Sequence, residues 1–488
     1  MKPLSGLDGA FLSLETPATP MHVGSLHLFE PPPGYRRNFL AAVKKMIGSR
    51  LDLAPIFRRR LAQMPLQFAN PVWIDDAVDL DFHVRRIDLP APVSEHQLQD
   101  CVAGLHGQVL DRSRPLWMIY VFEGLARGRK AYYVKIHHSL LDGQAGAALA
   151  AALFDLSPTP GRARARRPAA PKENAPGPIS LAASALRHDA AQYVKLVRHL
   201  PDVVRLLAGM VRGSAAEKAS RPPKSTARGA LWRNASFGPR TPFNLNITPE
   251  RSVAALSLPF DQVKAIAAAQ EATINDVVLT LCGGALRRYL ARHGGVPRKP
   301  LMASMPISLR EAGNRDFSTQ ATLSLVNLAT HIADPLKRLK AVHATAGATK
   351  SVAKRAKSVI PVDFPTIGAP WILGALAALY GRSHIANAIP PIANVVISNV
   401  PGPPAPLYVA GVRMTDYWPL SIVEHGVGLN ITLMSYAGTL GIGLTAARCA
   451  VPDAHELAAD ILSAFDELKH RAAPPAPVVK AKGRQQRV

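Results

Sequence analysis

The sequence predicts an α/β protein of two domains, and three observations lead there. The chain is 488 residues long, more than a single core comfortably organises. Strand-like and helix-like segments alternate before residue 160, as in folds that pack helices on a sheet. A proline- and arginine-rich stretch at 157–168 then breaks the pattern, and a second region of strands and helices opens near 239. The expected division is therefore a first domain over 1–160, a basic linker over 161–235, a second domain over 236–468 and a tail over 469–488. At 48% hydrophobic and 19% charged residues the composition is that of a globular chain.

Residues 21–29 alternate apolar and polar side chains and read as a strand. Phe39, Leu40, Val43, Ile47 and Leu51 give 38–51 helical spacing, and a further helix is expected near 95–110. Strands follow near 116–123 and 131–137, the latter aromatic and β-branched, and the alanine-rich 144–154 reads as a helix. Within the linker, 183–212 places Tyr193, Val194, Val197, Leu200, Val204, Leu207 and Val211 broadly on one side. Lys195, Arg198, Arg205 and Arg212 lie among them and Pro201 breaks the run. Such a helix rests either on a lipid surface or on the protein's own core. In the second region, strands are expected at 252–258, 301–306 and 322–331, with a hairpin of 428–436 and 438–446 through Ala437-Gly438. A long helix follows Thr273-Ile274-Asn275-Asp276. The tail beyond 471 is rich in Pro, Ala, Lys and Arg and is expected to be disordered.

The formal net charge of +24 suggests nucleic acid until its location is considered. Residues 161–233 hold 15 Lys/Arg against 4 acids, and 469–488 hold 6 Lys/Arg and no acid. The charge belongs to linker and tail, so nucleic acid is set aside, while an anionic membrane or a phosphate-bearing molecule stays open. Cys101, Cys282 and Cys449 are too scattered for a disulfide framework or a metal knuckle, which fits a reducing cytoplasm. The first residues carry Pro3 and Asp8 where a signal peptide needs an apolar run. The longest apolar stretch, 369–380, is shorter than the ~20 residues of a spanning helix and is expected to be buried or interfacial.

The most informative segment is His137-His138-Ser139-Leu140-Leu141-Asp142-Gly143, between the 131–137 strand and the helix after it. If the strand persists to 138, alternation sets His138 beside Tyr132, Val134 and Ile136, and His137 beside Tyr133 and Lys135. Burial among apolar neighbours keeps an imidazole neutral, as a general base must be. Asp142 is placed to cap the turn or to pair with an arginine, and Gly143 to supply the freedom of a sharp turn. Two alternatives remain for the histidines. They could be satisfied core residues, or zinc ligands, although their side chains diverge and no further ligand lies near.

The HHxxxDG segment resembles the active-site motif of the CoA-dependent acyltransferase superfamily. Leu4-Ser5-Gly6-Leu7-Asp8, Met21-His22-Val23-Gly24, Pro115-Leu116-Trp117 and Asn275-Asp276 narrow the likeness, as do Pro306-Ile307-Ser308-Leu309-Arg310 with Gly313-Asn314, and Ser398-Asn399-Val400-Pro401-Gly402-Pro403. The ordered set is similar to the bacterial wax ester synthase/acyl-CoA:diacylglycerol acyltransferase family over about residues 3–465. Ile307, where that family more often has valine, is the one departure.

The resemblance implies two α+β sandwiches of chloramphenicol-acetyltransferase type with a channel between them and His138 as base at its middle. Acyl-CoA would enter as substrate from one face and diacylglycerol or a fatty alcohol from the other, with no separate cofactor and no metal. Asn275 would donate to the oxyanion or serve as the N-cap of its helix. Leu116 and Trp117 would line the acyl channel or pack in the core. Arg310 would pair with Asp142 or fix its own turn, and 399–402 would form a rigid turn. The expected setting is the cytoplasmic side of a membrane or a lipid droplet. Two rivals are a condensation-type domain that forms amides from carrier-bound acyl groups, and a lipid-droplet scaffold without turnover.

Overall fold

The computed structural model describes residues 2–140, 153–159, 177–194, 237–308, 321–356 and 366–472. In chain order its strands are β1 (Lys2–Pro3), β2 (His22–Glu30), β3 (Arg59–Ala62), β4 (Val72–Asp75), β5 (Val84–Val93), β6 (Trp117–Leu125), β7 (Lys130–His137) and β8 (Arg251–Pro259). There follow β9 (Met302–Ser308), β10 (Ala321–Asn327), β11 (Val395–Val400), β12 (Tyr408–Val409), β13 (Val412–Leu420), β14 (Leu429–Tyr436) and β15 (Thr439–Ala447).

Two six-stranded sheets organise the chain. The first has the order β12-β13-β2-β7-β6-β5 and the second β10-β9-β11-β14-β15-β8, while β1, β4 and β3 make a small third sheet. The first sheet's core includes Phe39, Val43, Leu98, Val102, Trp117 and Tyr132, from helices Phe39–Gly48 and Glu95–His106 and from the strands they cover. The second core gathers Val277, Leu281, Leu286, Ile431, Ile442, Ile461 and Phe465, with helices Ile274–Arg292 and Ala454–Ala472 packed on their sheet. The expected hairpin is present: Ala437 and Gly438 both take positive φ (42° and 91°) between β14 and β15. That backbone twist matches the twist of the strands it joins.

The second domain expected over 236–468 is not self-contained. β13 leaves it and pairs antiparallel with β2, from Arg413↔Glu30 to Leu420↔Gly24. The reason is the edge of β2: β7 occupies one side, and without β13 the other would present unpaired backbone groups. The sheets meet closely where β13 passes β15. A Cβ on Gly441 would lie 2.0 Å from Tyr417 O, and one on Gly443 1.8 Å from Pro419 O. Gln99 also bonds across the halves, its side chain pairing with both backbone groups of Ala255 on the edge strand β8.

Residues 395–400, part of which was expected to be a turn, form the interior strand β11 between β9 and β14. Of the linker helix expected over 183–212, residues 183–194 belong to a helix over 178–194 and the remainder lies outside the described residues.

Candidate active site

β7 ends at His137, and His138–Leu140 make a single 3-10 turn. The expectation that the strand persists to 138 is therefore corrected: the turn, not strand alternation, aims His138. Two backbone bonds fix the pair. His137 N–H donates to Leu116 O (3.0 Å) and His138 N–H to Met21 O (2.9 Å). The motifs around Leu116 and Met21 thus converge on the histidines through main-chain carbonyls.

The His138 ring stacks on Phe11 of helix Gly6–Leu14, centroids 4.1 Å apart and planes 26° from parallel. Its Nδ1 is buried and finds no partner in another residue. Burial, and then the neighbouring His137, pull the imidazole down to about 4. The ring is neutral at physiological pH, the state a proton acceptor requires.

His137 faces the other way and is committed to the scaffold. The Ser139 backbone N–H donates to its Nδ1 (3.2 Å), and the Ser139 hydroxyl lies 2.7 Å from the same nitrogen. The ring proton therefore sits on Nε2, which is 3.4 Å from Glu15 Oε1. Glu15, which sequence reasoning did not single out, is the buried hub of this side. It accepts from Met21 N–H (3.0 Å) and from Arg112 Nε (3.2 Å) and Nη2 (2.8 Å). Burial alone would push its carboxyl up, but His137, the Met21 amide and Arg112 outweigh that and hold it at about 2. Phe11 and Glu15 lie four residues apart at the end of one helix, with no pattern in the sequence to link them to position 138.

Tyr133 and Lys135 do share the face of His137. Lys135 Nζ donates to Leu105 O (2.7 Å) and to Gln108 O, closing the C-terminus of helix Glu95–His106, and burial lowers its ammonium to about 7. The Tyr133 hydroxyl is 2.5 Å from His106 Nδ1, and His106 Nε2 donates to Ser421 O (3.0 Å) just past β13.

Leu116 and Trp117 are fully buried. The Trp117 indole donates to Phe57 O (3.1 Å) and stacks on His83 at 4.3 Å. Trp117 also lines an open cavity of about 310 Å³ with Phe82, Arg85, Leu110 and Tyr120.

Asn275 is not the N-cap. Thr273 takes that position in a reciprocal capping box with Asp276. The Asn275 carbonyl oxygen instead accepts from Asn399 Nδ2 (2.6 Å), which joins two of the sequence motifs and turns the Asn275 amide N–H₂ away from that bond. No hydrogen bond links Asn275 to His138 among the described residues. Asp276 also bonds His343 Nδ1 (2.7 Å). Asp142, Gly143, Arg310 and the 313–314 pair lie outside the described residues, as does most of the helix expected over 144–154. Among the described residues no group of three or more His, Cys, Asp or Glu side chains is placed to hold a metal ion.

Two mixed sheets joined by a returning strand, with a histidine pair at the end of β7, define the class of condensation-type folds. The first condensation domain of the calcium-dependent antibiotic synthetase superposes with a TM-score of 0.54 over 97% of both chains, at 15% identity, a likeness of fold alone. The family profile "Wax ester synthase/diacylglycerol acyltransferase catalytic domain" matches residues 4–278, and "WS/DGAT C-terminal domain" matches 318–469. The chain belongs to the wax ester synthase/diacylglycerol acyltransferase family and is an acyltransferase.

A protein of Mycobacterium tuberculosis named putative diacylglycerol O-acyltransferase is 36% identical over 471 residues, 96% of this chain and 99% of that one. A second from the same species, named probable diacylglycerol O-acyltransferase, is 35% identical over 95% and 97%. The solved wax ester synthase/diacylglycerol acyltransferase of Marinobacter aquaeolei superposes with a TM-score of 0.67 at 28% identity, covering 97% of this chain and all of the other. The family resemblance, the α/β fold and the acyltransferase class expected from sequence are borne out.

Proposed function

We propose that the chain transfers a long-chain acyl group from acyl-CoA to diacylglycerol, a fatty alcohol or both, with His138 as general base. The observation that carries this reading is the neutral His138 imidazole, stacked on Phe11 with its Nδ1 buried. Nε2 takes the proton of the acceptor hydroxyl as its oxygen attacks the thioester carbonyl. The tetrahedral oxyanion is met by the Asn275 amide, whose other end Asn399 holds. Collapse of the intermediate breaks the C–S bond, and CoA leaves as a thiol carrying the proton from His138. His137 supports by fixing the turn, Leu116 by holding His137, and Trp117 by walling the acyl side.

The acceptors named are lipids, and no described helix is long and apolar enough to cross a membrane. Peripheral contact with an anionic membrane or droplet surface is the fitting arrangement, supported by the basic segments 161–233 and 469–488.

The test is His138→Ala in purified protein given palmitoyl-CoA with hexadecanol or diacylglycerol. Ester formation should fall by ~10²–10⁴, the span of general-base catalysis. Ester formation within a few-fold of wild type would remove His138 from the mechanism. An amide product from carrier-loaded substrates, with no ester from acyl-CoA, would point to condensation chemistry instead.

A further inference from the structure

Helix Ala369–Ser383 buries no residue fully, although its sequence APWILGALAALYGRS carries one charge. It is turned inside out. Gly374 and Gly381 face inward, toward Ser13 O of helix Gly6–Leu14 and the His425 ring, while four of the bulky apolar side chains face solvent. Trp371 is 54% exposed, Ile372 61%, Leu376 55% and Leu379 62%, all on one helical face.

Two other segments extend this surface. The Trp371 indole donates to Leu66 O (3.0 Å), and Leu66 is 87% exposed on a tip where Leu66 and Gln67 both hold positive φ (52° and 53°). Non-glycine residues adopt that backbone at a cost. Asp189, buried in the 178–194 helix, accepts from Thr366 N–H and Ile367 N–H (2.8 and 2.7 Å), locking that helix, on which Ile179 is 87% exposed, to the start of 369–383.

The segment itself is cationic: residues 366–394 contain no acid, Arg382 is exposed on the helix, and the Asp189 carboxylate beside its start is spent internally. At fifteen residues the helix is too short to span a bilayer, which needs ~20. An apolar face of this extent on a cationic segment suits the interfacial zone of an anionic leaflet.

We infer that Leu66, Ile179, Trp371, Ile372, Leu376 and Leu379 form the surface on which the protein sits in an anionic lipid bilayer. The inference deepens the acyltransferase reading, on which the lipid partner rests. It sets helix Gly6–Leu14, and with it Phe11 and His138, directly behind the docked helix, so that a lipid acceptor reaches the base from the leaflet.

The test compares the full chain with the exposed double variant Ile372→Asp/Leu376→Asp by flotation with vesicles of phosphatidylcholine plus phosphatidylglycerol, without substrate. The basic segments are screened in about 0.5 M salt, where binding by wild type should persist and the variant should lose roughly tenfold or more in affinity. The variant's melting transition should be unchanged, because both side chains point to solvent. Equal binding by both proteins overturns the inference, as does a shift from dimer to monomer in the variant by sedimentation equilibrium, which would make the surface a contact between copies. Because binding is read without turnover, failure of the ester assay would sink the proposed chemistry and leave this surface standing.

Discussion

Replacing Glu15 by Gln isolates the charge at the hub of the site. The substitution keeps an amide oxygen for Met21 N–H but removes the negative charge beside His137 and Arg112. A carboxyl held below its ordinary value stabilises the fold above that value and loses the contribution as pH falls through the folded value. Here the ordinary value is 4.5 and the folded one about 2, a gap equivalent to about 3 kcal/mol at neutral pH. By pH 3 about 2 kcal/mol of it is gone. Urea unfolding followed by tryptophan fluorescence should therefore show Glu15→Gln less stable than wild type at pH 7, with the difference shrinking by about 2 kcal/mol between pH 7 and pH 3. The variant should also lose kcat more than it gains in KM, because Met21 O positions His138 and does not touch the acyl site. A stability difference that ignores pH over this range would refute the account of Glu15 as a buried, ionised hub.

The acid limb of kcat/KM should fall near pH 4, where burial sets His138, and Phe11→Ala should raise it toward 6.5 by wetting the ring; a wild-type limb at 6.5 would contradict the buried base. Gly443→Ala puts a Cβ 1.8 Å from Pro419 O, between two strands that are both held by their own pairings. It should cost about 3 kcal/mol, and an unshifted melting temperature would deny the close approach of the two sheets.

What the sequence revealed was local. The Ala437-Gly438 turn, the helix from Ile274 and the strand leading to His137 each depend on neighbours within a few residues. Asn275 shows how near the limit lies: a polar residue at a helix start invites the capping role, yet Thr273 wins because Asp276 sits three positions on and closes the box. The features that were missed join distant parts of the chain. β13 pairs with β2, about 390 residues earlier in the chain, and its alternation of apolar residues does not name its partner. Phe11 and Glu15 matter because a helix at the start of the chain packs on the turn at 138, which no local pattern encodes.

The geometry also decides how the base is tuned. In a histidine–carboxylate pair the acid raises the basicity of the ring. Here the buried acid near the pair is engaged by His137, Met21 and Arg112, while His138 is tuned by burial against Phe11 and then by His137. The cost is driving force. A base near 4 is poorly matched to a hydroxyl proton about as weakly acidic as that of water, ~15.7. As the proposed base, His138 would be ready to accept but would not pull hard, so little proton transfer would precede bond formation. The hydroxyl must lose its proton as the tetrahedral carbon forms, and the barrier then depends on how well the oxyanion is met. In the proposed mechanism that burden would fall on the Asn275 amide, whose carbonyl oxygen accepts from Asn399 Nδ2.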